Sequence, residues 1–497
     1  MVTNNSTSKI SRFHDTIFFI LALGLFFYSS SRACLLSLTC DEASTYFSHL
    51  PNSIWSCFYS EFCWFDANNH LLNTFLMQIS TSVFGVSEWT LRLPNLIGHI
   101  IYLIFSILLI RKNSKSLFLG IVGFCLLNLN PFLLEFFSLA RGYGLGVGWM
   151  MMSIYFLFCW IESKEFTLGI YCYVGAFFAV LSNFIFLNYW ACLTAVLIFF
   201  ILEKQIYEKN ENRINSLFKS FGLPIFSSLG LFFLVKNPIQ FLKSKGEFAF
   251  GTEKLSDSFV ELVRVSLMSQ GYFNPNTTAI FVLISLVLSG TSILFAIFYF
   301  LKQRDKLFSR IHLAGVSLMV LMILAMVVQF YLIDIKYLMG RKSIMLLPFF
   351  GLSTYLLLES IYRNKGKYKN WAVGLALLIS VFSFNHIYRT FDLKETTEWS
   401  YDAYTKDMIH YLDGNLKENQ EIELGVFWIY GPSSEFYQQY LSIKKIKKVN
   451  RLREEDFNEI ETAELIYIRK DQMDIVRNKY ILEKEFGSAG VLLKKKK

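Results

Sequence analysis

Charge is scarce in this chain. Lys, Arg, Asp and Glu make up 18% of its 497 residues, whereas a soluble protein of that length carries about 25%. Proline is sparse too, at 8 residues. Neither an internal repeat nor a low-complexity stretch is present, which excludes a solenoid or a compositional tail. No Gly-rich phosphate loop is visible, so nothing points to a nucleotide site. No Cys–His spacing resembles a zinc site. The 8 cysteines are spread widely. Cys125, Cys159, Cys172 and Cys192 fall in apolar runs, where a thiol serves as a small apolar filler. Cys57 and Cys63 share one polar loop, where a disulfide and two separate thiols both fit.

Apolar residues are abundant: 54% of the chain is hydrophobic, with 51 Phe and 26 Tyr. Apolar runs of bilayer-spanning length recur along most of it. Spans are expected at about 16–38, 94–110, 117–131, 142–161, 167–182, 184–202, 217–235, 278–300, 311–333, 343–362 and 371–388. The chain therefore reads as an all-α polytopic membrane protein with about 11 transmembrane helices. Only the tight turn SNFIFLNYW divides 167–202, so two spans and one re-entrant hairpin both fit. The net charge of +9 does not indicate nucleic acid, because the basic residues sit in short clusters between apolar runs. No small-residue cleavage site follows the first run, which predicts a retained span rather than a signal peptide.

Orientation follows from those clusters. With the N-terminus cytoplasmic, the inner segments hold more Lys and Arg than the outer ones in about half the length. Loop 39–93 then lies outside, at a bacterial inner or plasma membrane. An odd number of spans places the tail outside too. From about 389 the charged fraction rises. DAYTKDMIHYL and SSEFYQQYL read as helices, and IELGVFWIY and AELIYIRK as strands. The expected organisation is a membrane core, 1–388, and a small soluble α/β domain, 389–497, ending in a solvated KKKK.

Ionisable residues at a membrane boundary carry the most functional information. The first span ends in SLTCDEASTYFSH, with Asp41 and Glu42 side by side. Thr39 and Glu42 fit a capping box, which leaves Asp41 without a structural task. A carboxylate there could accept a proton from an attacking hydroxyl. Further along loop 39–93, the aromatic cluster WSCFYSEFCWF suits the interface. FDANNHLLNTFLMQIS holds Asp66, Asn68, Asn69 and His70, and EWTLRLPN holds Arg92 and Pro94. His70 suits a hydrogen-bonded structural role or a ligand role, and the two asparagines could simply cap the next helix. SLARGYGL places Arg141 at the outer end of a span. IDIKYLMGRKSIMLLPFF puts Lys336, Arg341 and Lys342 in one short outer loop. Snorkelling accounts for many such residues, but orientation statistics disfavour them in short outer loops. An anionic partner such as a phosphate would explain them.

In this order, these segments resemble the GT-C superfamily of membrane glycosyltransferases. The likeness is to the group of protein O-mannosyltransferases, aminoarabinose transferases and related bacterial enzymes of dolichyl-phosphate-mannose type. It covers most of 16–388 and departs after His70, where Leu71-Leu72 replace prolines. The resemblance implies a helical membrane core, an extracytoplasmic site and a C-terminal domain. It implies an inverting glycosyltransferase that uses a polyprenyl-phosphate sugar donor and a protein, lipid or glycan acceptor. Asp41, within the pair completed by Glu42, would be the catalytic base. Arg141, Lys336 and Arg341 would hold donor phosphate, with His70, Asn69 and Arg92 among the substrate-binding residues. Some relatives use a divalent metal near the first loop, which would involve Glu42 and His70.

Two rival classes are a lipid-linked sugar flippase or transporter and a non-catalytic subunit of an envelope assembly. The first needs mid-membrane polar residues at matching places in two halves. The second leaves Asp41 unexplained.

Overall fold

The computed structural model describes residues 4–53, 67–207, 213–268, 275–364, 368–458, 463–488 and 490–496. Asp66, Cys57, Cys63 and the aromatic cluster around them lie outside these residues. Helix α1 (Asn4–Leu35) leads to a short α2 (Cys40–Ser48), then α3 (Leu71–Phe84) and α4 (Glu88–Asn113). The bundle continues with α5 (Leu117–Asn128), α6 (Pro131–Phe136), α7 (Tyr143–Ser163), α8 (Phe166–Ser182) and α9 (Leu187–Tyr207). It is completed by α10 (Arg213–Ser244), α11 (Leu255–Ser266), α12 (Pro275–Lys302), α13 (Leu307–Ile333), α14 (Leu347–Arg363) and α15 (Tyr368–Thr390).

Every expected apolar run is helical. Among the described residues, nine helices are long and apolar enough to cross a membrane. The other two runs form shorter helices, 12 residues in α5 and 17 in α8. At 1.5 Å per residue they reach about 18 and 25 Å, short of a hydrocarbon core of about 30 Å. Phe19, Phe27, Phe226, Phe233 and Leu301 stand exposed on the flanks of the bundle, a surface suited to lipid rather than water.

Local sequence explains how the central helices start and meet. Ser87 and Thr90 form a capping box at the start of α4, and Arg111 and Lys112 occupy its last turn, where cations complement the helix dipole. Gly98 of α4 faces Leu145 and Gly148 of α7. A Cβ at Gly98 would lie 2.5 Å from the Leu145 Cα, and one at Gly148 would lie 2.3 Å from the Gly98 carbonyl oxygen. Only glycine allows this backbone-to-backbone crossing.

After α15 the chain forms a 3-10 turn over Ser400–Tyr404 and α16 (Thr405–Asn415). Strand β1 (Ile422–Phe427), α17 (Gly431–Tyr440) and β2 (Ile446–Leu452) make a parallel crossover, followed by β3 (Leu465–Arg469), β4 (Tyr480–Phe486) and β5 (Gly490–Lys495). The sheet order is β2-β1-β3-β5-β4, with β1 parallel to β2 and β3 and the β4–β5 hairpin antiparallel. β1 and β3 lie where alternation predicts them. β2 and β4 have mostly exposed middles, which hid them from a hydrophobic pattern. The terminal lysines are not merely a solvated end: Lys494 and Lys495 extend β5, with their side chains exposed.

Among the described residues, the core of this C-terminal unit is shared with the membrane part. Leu38, Ala43, Met77, Leu91 and Ala140, from the membrane part, share one buried cluster with Met408, Tyr430, Tyr437 and Ile466. It therefore packs directly on α2, the helix that carries the acidic pair.

Candidate active site

The start of α2 forms as the capping box predicts. The Thr39 hydroxyl accepts from the Glu42 N–H at 3.3 Å, and Glu42 Oε2 accepts from the Thr39 N–H at 2.9 Å. Glu42 does more than cap. Arg92 of α4 donates to both its oxygens at 2.8 Å, and the Ala140 N–H donates to Oε1 at 2.6 Å. The rest of the Arg92 guanidinium donates to the carbonyls of Ala33, Leu36 and Ser37. These are free acceptors at the C-terminal end of α1. Both side chains are fully buried. Burial raises the Glu42 carboxyl pKa, but Arg92 and the amide donors outweigh it and hold it below the usual range.

Asp41 points the other way. Its Oδ2 lies 3.2 Å from Arg141 Nη2 and 3.2 Å from Arg341 Nη2. Arg141 follows α6, and its Nη2 donates to Asn68 Oδ1 at 2.9 Å. Its Nε and Nη1 are buried with no hydrogen-bond partner. Arg341 is fixed by Glu398, which accepts from its backbone N–H and from its Nη1, both at 2.7 Å. Gly340 has φ +53°, and a Cβ there would lie 2.6 Å from Glu398 Oε1. Both guanidinium groups approach the Trp399 ring, Arg341 at 4.8 Å and Arg141 at 5.9 Å. Asp41, Asn68, Arg341 and Glu398 open onto a cavity of about 550 Å³, with Glu247, Phe250, Gly251 and Lys342 on its other walls.

The C-terminal unit holds α2 from behind. Asp402 Oδ2 accepts from the Cys40 N–H at 2.6 Å, and its Oδ1 accepts from the Ser433 hydroxyl at 2.7 Å. Burial pushes the Asp402 carboxyl up to about 8 despite these bonds. Tyr437 donates to Glu88 and accepts from the Leu38 N–H, and Lys406 pairs with Glu88 at 2.6 Å. Thr397 anchors the linker by donating to Glu135, whose carboxyl burial pushes up to about 7.

Of the expected residues, Asp41, Arg141 and Arg341 converge on one point. Several others need correction. Glu42 does not reach the cavity, because both of its oxygens are consumed by Arg92 and backbone amides. Arg92 is spent on Glu42 and the α1 carbonyls, so it has nothing left for a substrate. Lys336 turns away to Glu253 at 3.6 Å, and its neighbour Lys342 faces the cavity instead. Asn69 is buried and accepts from the Thr74 hydroxyl. His70 is buried against Tyr143. Burial, with Arg141, Arg341 and His49 nearby, pushes its imidazole well below the usual range, so it is neutral at pH 7.

Glu42 and His70 also do not fit a divalent metal. Glu42 has no free oxygen, which leaves the unpartnered Nε2 of His70 as a single donor. Among the described residues no group of three or more His, Cys, Asp and Glu is placed to hold one. Sequence reasoning missed Glu398, Trp399, Asp402 and Glu247. None stands in a motif, and the only signal was their position just beyond a predicted span.

The architecture has counterparts of the same fold among solved membrane proteins. Among solved structures it is similar to ArnT from Cupriavidus metallidurans, seen bound to undecaprenyl phosphate. The TM-score is 0.52 at 10% identity, over 96% of this chain and 97% of that one. The apo state of the same protein aligns with a TM-score of 0.52 at 10% identity, over 97% and 98%. An apo oligosaccharyltransferase from Archaeoglobus fulgidus aligns with a TM-score of 0.45 at 11% identity, over 91% of this chain and 70% of that one. No family model and no curated protein sequence matches the chain.

Proposed function

We propose that this chain is an inverting glycosyltransferase that moves a sugar from a polyprenyl-phosphate donor to an acceptor hydroxyl at the extracytoplasmic membrane surface. The acceptor class is a protein, lipid or glycan. The N-terminus is cytoplasmic, and the C-terminal domain, 389–497, lies outside. One observation carries the reading: a carboxylate, Asp41, lines a cavity together with Arg341 and is paired from behind by the buried Arg141. ArnT, which has the same fold, binds undecaprenyl phosphate.

The chemistry follows from the residues. With the cavity empty, Asp41 is the anion for both guanidinium groups. Donor phosphate would take over Arg341, Lys342 and the unused Nε and Nη1 of Arg141. That exchange frees Asp41 to accept a proton. The acceptor oxygen attacks the anomeric carbon, the carbon–oxygen bond to phosphate breaks, and the acceptor proton passes to Asp41. The departing polyprenyl phosphate keeps the electron pair, and the cations stabilise its charge. Glu42 and Arg92 act as positioning residues that fix the turn from which Asp41 projects.

Asp41→Asn tests this. The variant should still fold, yet lose transfer from a polyprenyl-phosphate sugar by about 10²–10⁴-fold at temperatures where it is folded. An Asn variant that turns over like wild type would reduce Asp41 to a helix-end residue.

A further inference from the structure

A second polar cavity lies at the opposite end of the bundle. α4 runs 26 residues from Glu88, beside the candidate site, to Asn113, a rise of about 39 Å. At that far end, Arg363 donates to the Asn113 carbonyl. There the ends of α12 and α14 and the starts of α5, α13 and α15 surround a cavity of about 510 Å³. Lys115, Lys306, Arg363 and Lys369 line it, and among the described residues no carboxylate does. Glu359, on the neighbouring turn of α14, is buried and already accepts from the Ser114 hydroxyl, the Lys115 N–H and Arg363. Lys115, Lys306 and Lys369 have no carboxylate partner among the described residues.

Two further features suit an anion. The first turn of α13 opens on the cavity through Phe308 and Ser309, and its N-cap, Lys306, makes no side-chain cap bond. The positive end of the helix dipole therefore faces it. Aromatic walls hold two of the cations in place, with Arg363 3.7 Å from the Phe308 ring and Lys369 4.7 Å from the Tyr362 ring. Orientation statistics explain scattered Lys and Arg at one membrane face. They do not explain four cations lining one acid-free cavity between helices.

We propose that this cavity binds a phosphate anion, supplied by the headgroup of an anionic phospholipid or by a free phosphate compound. The inference is independent of the transfer chemistry.

The test uses the full chain, delipidated in neutral detergent. Binding of dioctanoyl phosphatidylglycerol is measured by native mass spectrometry, with dioctanoylglycerol as a tail-only control. Wild type should bind the phospholipid saturably and the control far more weakly. The Lys115→Gln/Lys369→Gln variant changes two exposed side chains, so its ligand-free melting temperature should match wild type. Its phospholipid affinity should fall at least tenfold. Competition by inorganic phosphate would identify free phosphate as a sufficient ligand, and failure to compete would identify the lipid headgroup. Equal binding of dioctanoylglycerol, or an unchanged affinity in the variant, would overturn the proposal.

Discussion

Arg92 and Arg141 are both fully buried, yet their surroundings divide their roles. Arg92 spends its donors on Glu42 and three carbonyls, so it is a brace. Arg141 keeps Nε and Nη1 unpaired, which is costly for a buried cation unless a ligand completes it. Asp402 shows the same logic with opposite sign. Burial moves its carboxyl from 3.8 to about 8, so the folded state keeps a proton that the unfolded state has already released. The contribution of this residue to stability therefore falls as pH rises from about 4 to about 8 and is level above that. Asp402→Asn removes this titration. In melting scans across that range, wild type should lose stability relative to the Asn variant as pH rises. Parallel curves would mean that Asp402 stays ionised in the fold.

At the scale of elements, α2 is the decisive piece: nine residues fixed at their start by Thr39 and Glu42 and from behind by Asp402. A helix so short has little stability of its own. Its order comes from its cap and its packing. Thr39→Val removes the hydroxyl that accepts from the Glu42 N–H and should cost about 1 kcal/mol. The expected result is a lower melting temperature with nearly unchanged turnover at temperatures where the variant is folded. A collapse of turnover without a stability loss would mean that Thr39 acts in the chemistry.

At the scale of the whole molecule, the C-terminal unit is part of the site rather than an appendage. Its core continues into Leu38, Ala43 and Leu91, and the linker leading to it supplies Glu398 and Trp399 to Arg341 of the cavity wall. A chain ending at Thr390 would expose that apolar surface and release Arg341 from Glu398. It should aggregate in size-exclusion profiles or, where soluble, lack transfer activity. A monodisperse and active truncation would contradict this shared core.

The membrane class and the helices follow from the apolar runs alone, because backbone in lipid has few alternatives to helix. The capping box at Thr39 and Glu42 was legible for the same kind of reason: its hydrogen bonds join residues three apart. Asp41, Arg141 and Arg341 stood out as charges at span ends. What the sequence left undecided were contacts between distant segments, from 50 residues apart for Arg92 and Glu42 to 362 for Cys40 and Asp402. Arg92 read as a substrate ligand until Glu42 was seen to claim it, and Lys336 and Lys342 exchanged places because only the turn at Gly340 sets which one faces the cavity. Glu398 and Asp402 stood in no motif and were marked only by their position beyond a predicted span. Local periodicity and solvation determine which segments become helices, whereas the partner that neutralises a buried charge is chosen only when distant segments pack together.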